Sequence, residues 1–141
     1  MIAEPLYGLQ AALVAKLKGT PAINTLVAGR VYDRWPERAD YPAIAIAVAD
    51  QSVAIEEAED CTWGSENFLQ VQVFSRDEAQ PGMQTVRQIA GEIRYALRGW
   101  LPVVAGHRID GAQFQDTTYF RDDGLTSRAV MTFKVSSQAD D

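Results

Sequence analysis

The stretch from Leu26 to Val48, LVAGRVYDRWPERADYPAIAIAV, decides the fold class, because it runs from a helix end through a turn into a strand. Gly29 stops a helix by taking the left-handed conformation that costs other residues energy. Val31 and Tyr32 suit a short extended segment, and Trp35-Pro36 and Tyr41-Pro42 hold the chain extended on both sides of a polar loop. From Ala43 to Ala49 the branched residues Ile44, Ile46 and Val48 alternate with alanines. A period of two is a strand signal, with the branched row facing the core. The alanine row is small enough for another group to pack closely against it.

Before this stretch, Pro5 opens a helix in which Leu6, Leu9, Leu13 and Leu17 recur at helical spacing, and Gly19-Thr20-Pro21 ends it. Ile23 to Val27 reads as one further helical turn. After it, Asp50 to Ser65 has no period and carries Glu56, Glu57, Glu59 and Asp60, as an exposed loop or a long hairpin arm. Phe68 to Ser75 alternates again, with Leu69, Val71 and Val73 on one face and Gln70 and Gln72 on the other. Pro81-Gly82 opens a second long helix with an apolar stripe of Met83, Val86, Ile89, Ile93, Leu97 and Trp100. Ile109 to Phe120 and Arg128 to Val135 form a hairpin around Asp122-Asp123-Gly124, since Asp-Gly tolerates the positive φ that tight turns need. Without regular strand–helix alternation, the order predicts an α+β domain over residues 1–135. Its sheet is mainly antiparallel, of four to five strands, with two helices packed on one face. Residues 136–141 are expected to be a short disordered acidic tail.

With 141 residues, 47% hydrophobic and 23% charged, the chain has the composition of a globular protein with one core. No apolar run approaches the roughly 20 residues of a membrane span. Met1 to Leu6 lacks the basic and apolar regions of a secretory signal. Cys61 is the single cysteine and fits folding in a reducing cytoplasm. The net charge of −6 argues against a tight grip on nucleic acid, which needs basic patches to displace counterions.

Reactive chemistry finds little support. His107 is the single histidine, at the start of a strand, with no nucleophile elbow or cysteine signature beside it. Cys61 follows Asp60 in acidic surroundings that disfavour a thiolate. Neither a Walker loop nor G-x-G-x-x-G occurs, so no phosphate-bearing cofactor is expected. The run Glu56 to Asp60 lacks the alternating oxygen ligands of a calcium loop, and no metal site is expected. What remains is surface suited to other proteins. Arg87, Arg94 and Arg98 line one flank of the second long helix, and Gly91 falls in the same row, where it would let another backbone approach. These arginines form either a solvated edge or a contact with Glu56, Glu57, Glu59 and Asp60 of a neighbouring copy. A head-to-tail contact of that kind closes into a ring when the rotation allows. Trp35, Tyr41, Trp63 and Phe68 stand in or beside loops, where aromatics either anchor interfaces or cover the core edge. A polar face of Gln70, Gln72, Gln113, Gln115, Thr117 and Thr132 suits solvent or inter-subunit hydrogen bonds.

The order helix, GRVYDRWP (Gly29–Pro36), YPAIAIA (Tyr41–Ala47), FLQVQVFSR (Phe68–Arg76), amphipathic helix, Gly106-His107-Arg108-Ile109 and Asp122-Asp123-Gly124 resembles a known family. It is similar to the tail completion or tail terminator proteins of long non-contractile-tailed phages and gene transfer agents, over nearly the whole chain. The resemblance implies a structural virion protein assembled in a bacterial cytoplasm. It would form a hexameric homo-oligomeric ring at the head-proximal end of the tail, stopping the tail tube protein from polymerising and meeting the head–tail connector and neck proteins. DNA would pass through the lumen without specific binding, helped by negative charge that repels phosphate. No enzyme activity, cofactor or membrane is implied. The alternative is a non-viral cytoplasmic α+β module that oligomerises or carries a small ligand.

Overall fold

In a computed structural model, residues 4–46, 50–55, 64–76, 83–121 and 126–139 are described. The chain order is α1 (Leu6–Lys18), α2 (Pro21–Val27), β1 (Val31–Tyr32), β2 (Ala43–Ile46), β3 (Gln51–Ile55), β4 (Gly64–Arg76), α3 (Gln84–Ala96), β5 (His107–Arg121) and β6 (Thr126–Ala139). The sheet runs β1-β2-β4-β6-β5, with β3 pairing β4 beyond the end of β2. The β1–β2 pair is parallel and every other pair is antiparallel. The α+β class and the one-faced helical layer therefore hold, with a sixth strand and a third, short helix added.

The two additions have simple causes. The turn after Gly19 became a helix because Pro21 is pre-set for a first helical position. Ala28 and Gly29, both at positive φ (51° and 75°), close it, so Gly29 ends α2 as its side-chain-free backbone permits. Within Asp50–Ser65, the hairpin-arm reading is the one realised: Gln51 to Ile55 pairs with Phe68 to Gly64. Its weak sequence pattern reflects exposure on both faces.

One core joins helices and sheet. Leu9, Leu13 and Leu17 of α1, Ile23 and Val27 of α2, and Val86, Ile89, Ile93 and Leu97 in and just after α3 are buried. They pack on Ile44, Ile46, Leu69, Val71, Val73, Met131, Phe133 and Val135 in a single apolar cluster. Each fully buried branched side chain contributes about 1.5–3 kcal/mol through removal from water. On the other sheet face Ala43 and Ala45 are also buried, beside Phe74 and Gln72. The Trp35 ring lies tilted at 5.0 Å from Phe74, edge-on at 5.7 Å from Tyr32 and tilted at 6.1 Å from Tyr41. The small alanine row thus leaves room for a loop cluster, and Arg30 holds that loop by donating to the carbonyls of Pro42 and Tyr41.

Strand β6 continues to Ala139, so residues 136–139 are not part of a disordered tail. Gly64 to Glu66 on one side and His107 to Ile109 on the other supply ladder partners there. Buried Ser137 also bonds Asn67 Nδ2 and the hydroxyl of Ser65. Residues 140 and 141 lie outside the described residues.

Candidate subunit interface

Strand β5 is the long free edge of the sheet, and its ladder slips twice, between Ile109 and Ala112 and between Phe114 and Asp116. Gly111 sits in the first slip at φ 120°, a conformation other residues avoid. These bulges reset which side chains face the helices. Ala112 and Phe114, and beyond the second slip Thr117 and Tyr119, lie on the helix side, opposite Val135, Phe133, Met131 and Ala129. Thr117 therefore leaves the polar face predicted from simple alternation, and Gln115 falls in the bulge. Gln70, Gln72, Gln113 and Thr132 do share the face away from the helices.

The arginine flank of α3 lies directly above this edge. Arg94 Cζ stands 4.1 Å from the centroid of the Phe114 ring, and Arg87 Cζ 4.7 Å from that of Tyr119. Arg98 Cζ is 5.6 Å from the ring of its own helix neighbour Tyr95. All three arginines are exposed, and among the described residues none of them is ion-paired with a carboxylate. Stacking on a ring orients a guanidinium while leaving its N–H groups free for an acceptor.

Between helix and strand run two adjoining grooves that share Gly91, Arg94 and Phe114. One, of about 500 Å³, is lined further by Leu97, Arg98, Ala112 and Phe133. The other, of about 350 Å³, adds Arg87, Ala90, Thr117 and Tyr119. A side chain at Gly91 would meet nothing within 4 Å, so this glycine opens the middle of the combined groove. The sequence located the arginine row and Gly91; it missed the aromatic wall, because the two bulges change the facing of β5. The other interface candidates, Glu56, Glu57, Glu59, Asp60 and Trp63, lie outside the described residues, as does Cys61.

His107 is buried, and among the described residues neither ring nitrogen has a hydrogen-bond partner. Among the described residues no three His, Cys, Asp or Glu side chains come together as a metal site. None of the described helices is long and apolar enough to cross a membrane.

With fold and surface in place, comparison with known proteins is decisive over most of the chain. Residues 11–136 match the model of the family described as tail completion protein gp17. The chain belongs to that family. No curated protein sequence matches it. Among solved structures, a chain of the virion of a native gene transfer agent particle shares the fold with a TM-score of 0.82 at 19% identity. The match spans 96% of this chain and 98% of that one. Tail completion proteins are structural virion proteins, so this chain is a structural tail component and not an enzyme. As a virion tail component it is associated with other tail or head proteins.

Proposed function

We propose that this tail completion protein forms a hexameric ring at the head-proximal end of a tail tube, ends tube polymerisation and joins the tail to the neck. The observation that carries the reading is the family match across residues 11–136, supported by a fold shared from end to end with a virion chain. A steric mechanism suits a structural tail component. Each subunit would pair with the last ring of the tube protein and cover the edges another ring needs, while the head-facing side meets connector proteins. The flank Arg87, Arg94 and Arg98, with Glu56, Glu57, Glu59, Asp60 and Trp63, is proposed to lie in the contacts between copies. The net charge of −6 suits a lumen through which DNA slides without being held.

Native mass spectrometry and negative-stain imaging of the purified chain should show a six-subunit ring. In cells producing particles, deletion of the gene should leave tails of uncontrolled length and heads without tails. A chain that stays monomeric, together with normal tails in the deletion strain, would refute the reading.

A further inference from the structure

We infer that the sheet continues from one subunit into the next, the outer edge of β5 pairing with β3 of a second copy, an inference that rests on the ring reading above. Among the described residues no strand pairs with the outer edge of either β5 or β3. An open edge is a row of unpaired N–H and C=O groups, and these two carry few of the usual guards against pairing. β5 has neither proline nor lysine, and its two bulges leave Asp116 to Arg121 in regular register. β3 (QSVAI) has no proline and no charged residue. Each edge also exposes an apolar side chain. Val53 and Phe120 are both 41% exposed, and both lie on the sheet face away from the helices, Val53 opposite Glu66 and Phe120 opposite Arg128.

Strand direction fits a second copy in the same orientation. β3 is antiparallel to β4, β4 to β6 and β6 to β5, so β5 and β3 run in opposite directions. A neighbour with its helices on the same face therefore offers β3 antiparallel to β5, the pairing used in most of the sheet. The two edges differ, so the contact is head-to-tail, the type that propagates around a ring. Topology also sets the register. β1 stands one strand further out than β3 and, followed through the ladders, is level with Tyr119 and Thr118. In a level arrangement β1 would reach the next β5 first and hold β3 away. The neighbour must shift along the strands until β1 clears Arg121, which sets β3 on the regular stretch Asp116–Arg121. Such a stagger is what a sheet closing around an axis requires. With the two faces kept in phase, Val53 comes to lie opposite Phe120 or one step diagonal to it, and each covers the other. Charge favours the same docking. Arg87 and Arg94 overhang β5 at Tyr119 and Phe114, and away from its own arginine flank a second copy is more acidic than the net −6 of the whole chain.

Cross-linking in the full chain tests the pairing. With Cys61→Ser to remove the native thiol, Val53→Cys combined with Phe120→Cys should give a bismaleimide ladder on denaturing gels that extends beyond the dimer. Neither cysteine alone should give it. Val53→Glu and Phe120→Glu alter exposed positions, so each should keep the wild-type circular dichroism and melting curve. Each should weaken association about tenfold or more, because it sets a charge against the neighbour's apolar side chain. Phe120→Glu with Val53→Lys should regain part of that loss, as opposite charges on neighbouring strands attract. If wild type assembles, both glutamate variants assemble equally well and no ladder forms, the edge pairing is overturned while the ring stands. Phe120→Cys alone giving a cross-linked dimer would show β5 paired with β5 about a two-fold axis and overturn the proposal. A wild-type chain that never assembles overturns the ring reading and the edge pairing with it.

Discussion

Asn67 stands in the buried row of β4 at a position where alternation calls for an aliphatic residue, and its replacement tests how the hairpin arm is anchored. It is fully buried. Ser52 on β3 donates to its Oδ1 at 2.7 Å, and its Nδ2 donates to the Val135 carbonyl and to Ser137 Oγ on β6, both at 2.9 Å. Three strands thus meet in one amide. Asn67→Ala removes these bonds, each contributing about 1 kcal/mol net, and opens a small cavity. Ser52 is exposed and can turn to water, and Ser137 keeps its bond to Ser65 at 2.9 Å, so not every loss is felt in full. The expected cost is about 3 kcal/mol. Asn67→Val refills the space with a good strand former but leaves the Val135 carbonyl without its side-chain donor, for a cost of about 1–2 kcal/mol. Urea denaturation followed by circular dichroism should give this order with an unchanged slope. Hydrogen exchange should show amides of 51–55 losing more protection than those of β2, because Ser52 is the side-chain tie of β3 to this network. Asn67→Val as stable as wild type, or Asn67→Ala within about 0.5 kcal/mol of it, would refute the reasoning.

Val71→Asp should cost several kcal/mol, measured by the same denaturation, since it buries a charge between Ile46 and Met131 in the core. Gly91→Ala should stabilise the fold by about 0.5–1 kcal/mol, raising the melting temperature a few degrees, because alanine is the better helix former and its Cβ has open space. Burial raises the Asp50 pKa from its ordinary value, against a smaller lowering by the Gln70 N–H it accepts at 3.0 Å. A group raised on folding contributes stability below its unfolded pKa and loses it as pH rises through the folded one. Asp50→Asn keeps the acceptor without the charge, so it should exceed wild type in stability at neutral pH and match it near pH 3; an equal gap at both would refute desolvation as the cause.

Read from residues alone, the chain already disclosed much of its architecture. Leu9, Leu13 and Leu17, the stripe from Val86 to Leu97, and the rows Ile44–Ile46 and Leu69–Val73 all proved to be core. Burial imposes a period on sequence, so each element with one wet and one dry face could be recognised without its partners. The alanines of β2 likewise signalled a close neighbour, found in the cluster of Trp35, Tyr41 and Phe74. Elements with both faces accessible left no such trace. β3 has exposed side chains at Gln51, Ser52 and Val53, and became a strand through the ladder offered by Gly64 to Phe68. Residues 136–139 are strand for the same reason, held between β4 and β5. The interface surface divides along the same line. Helical spacing alone put Arg87, Gly91, Arg94 and Arg98 in one row, because that geometry is local. Phe114 and Tyr119 joined them only through two bulges, Gly111 and the pairing with β6, since the facing of a long edge strand is set by its register and not by its own residues.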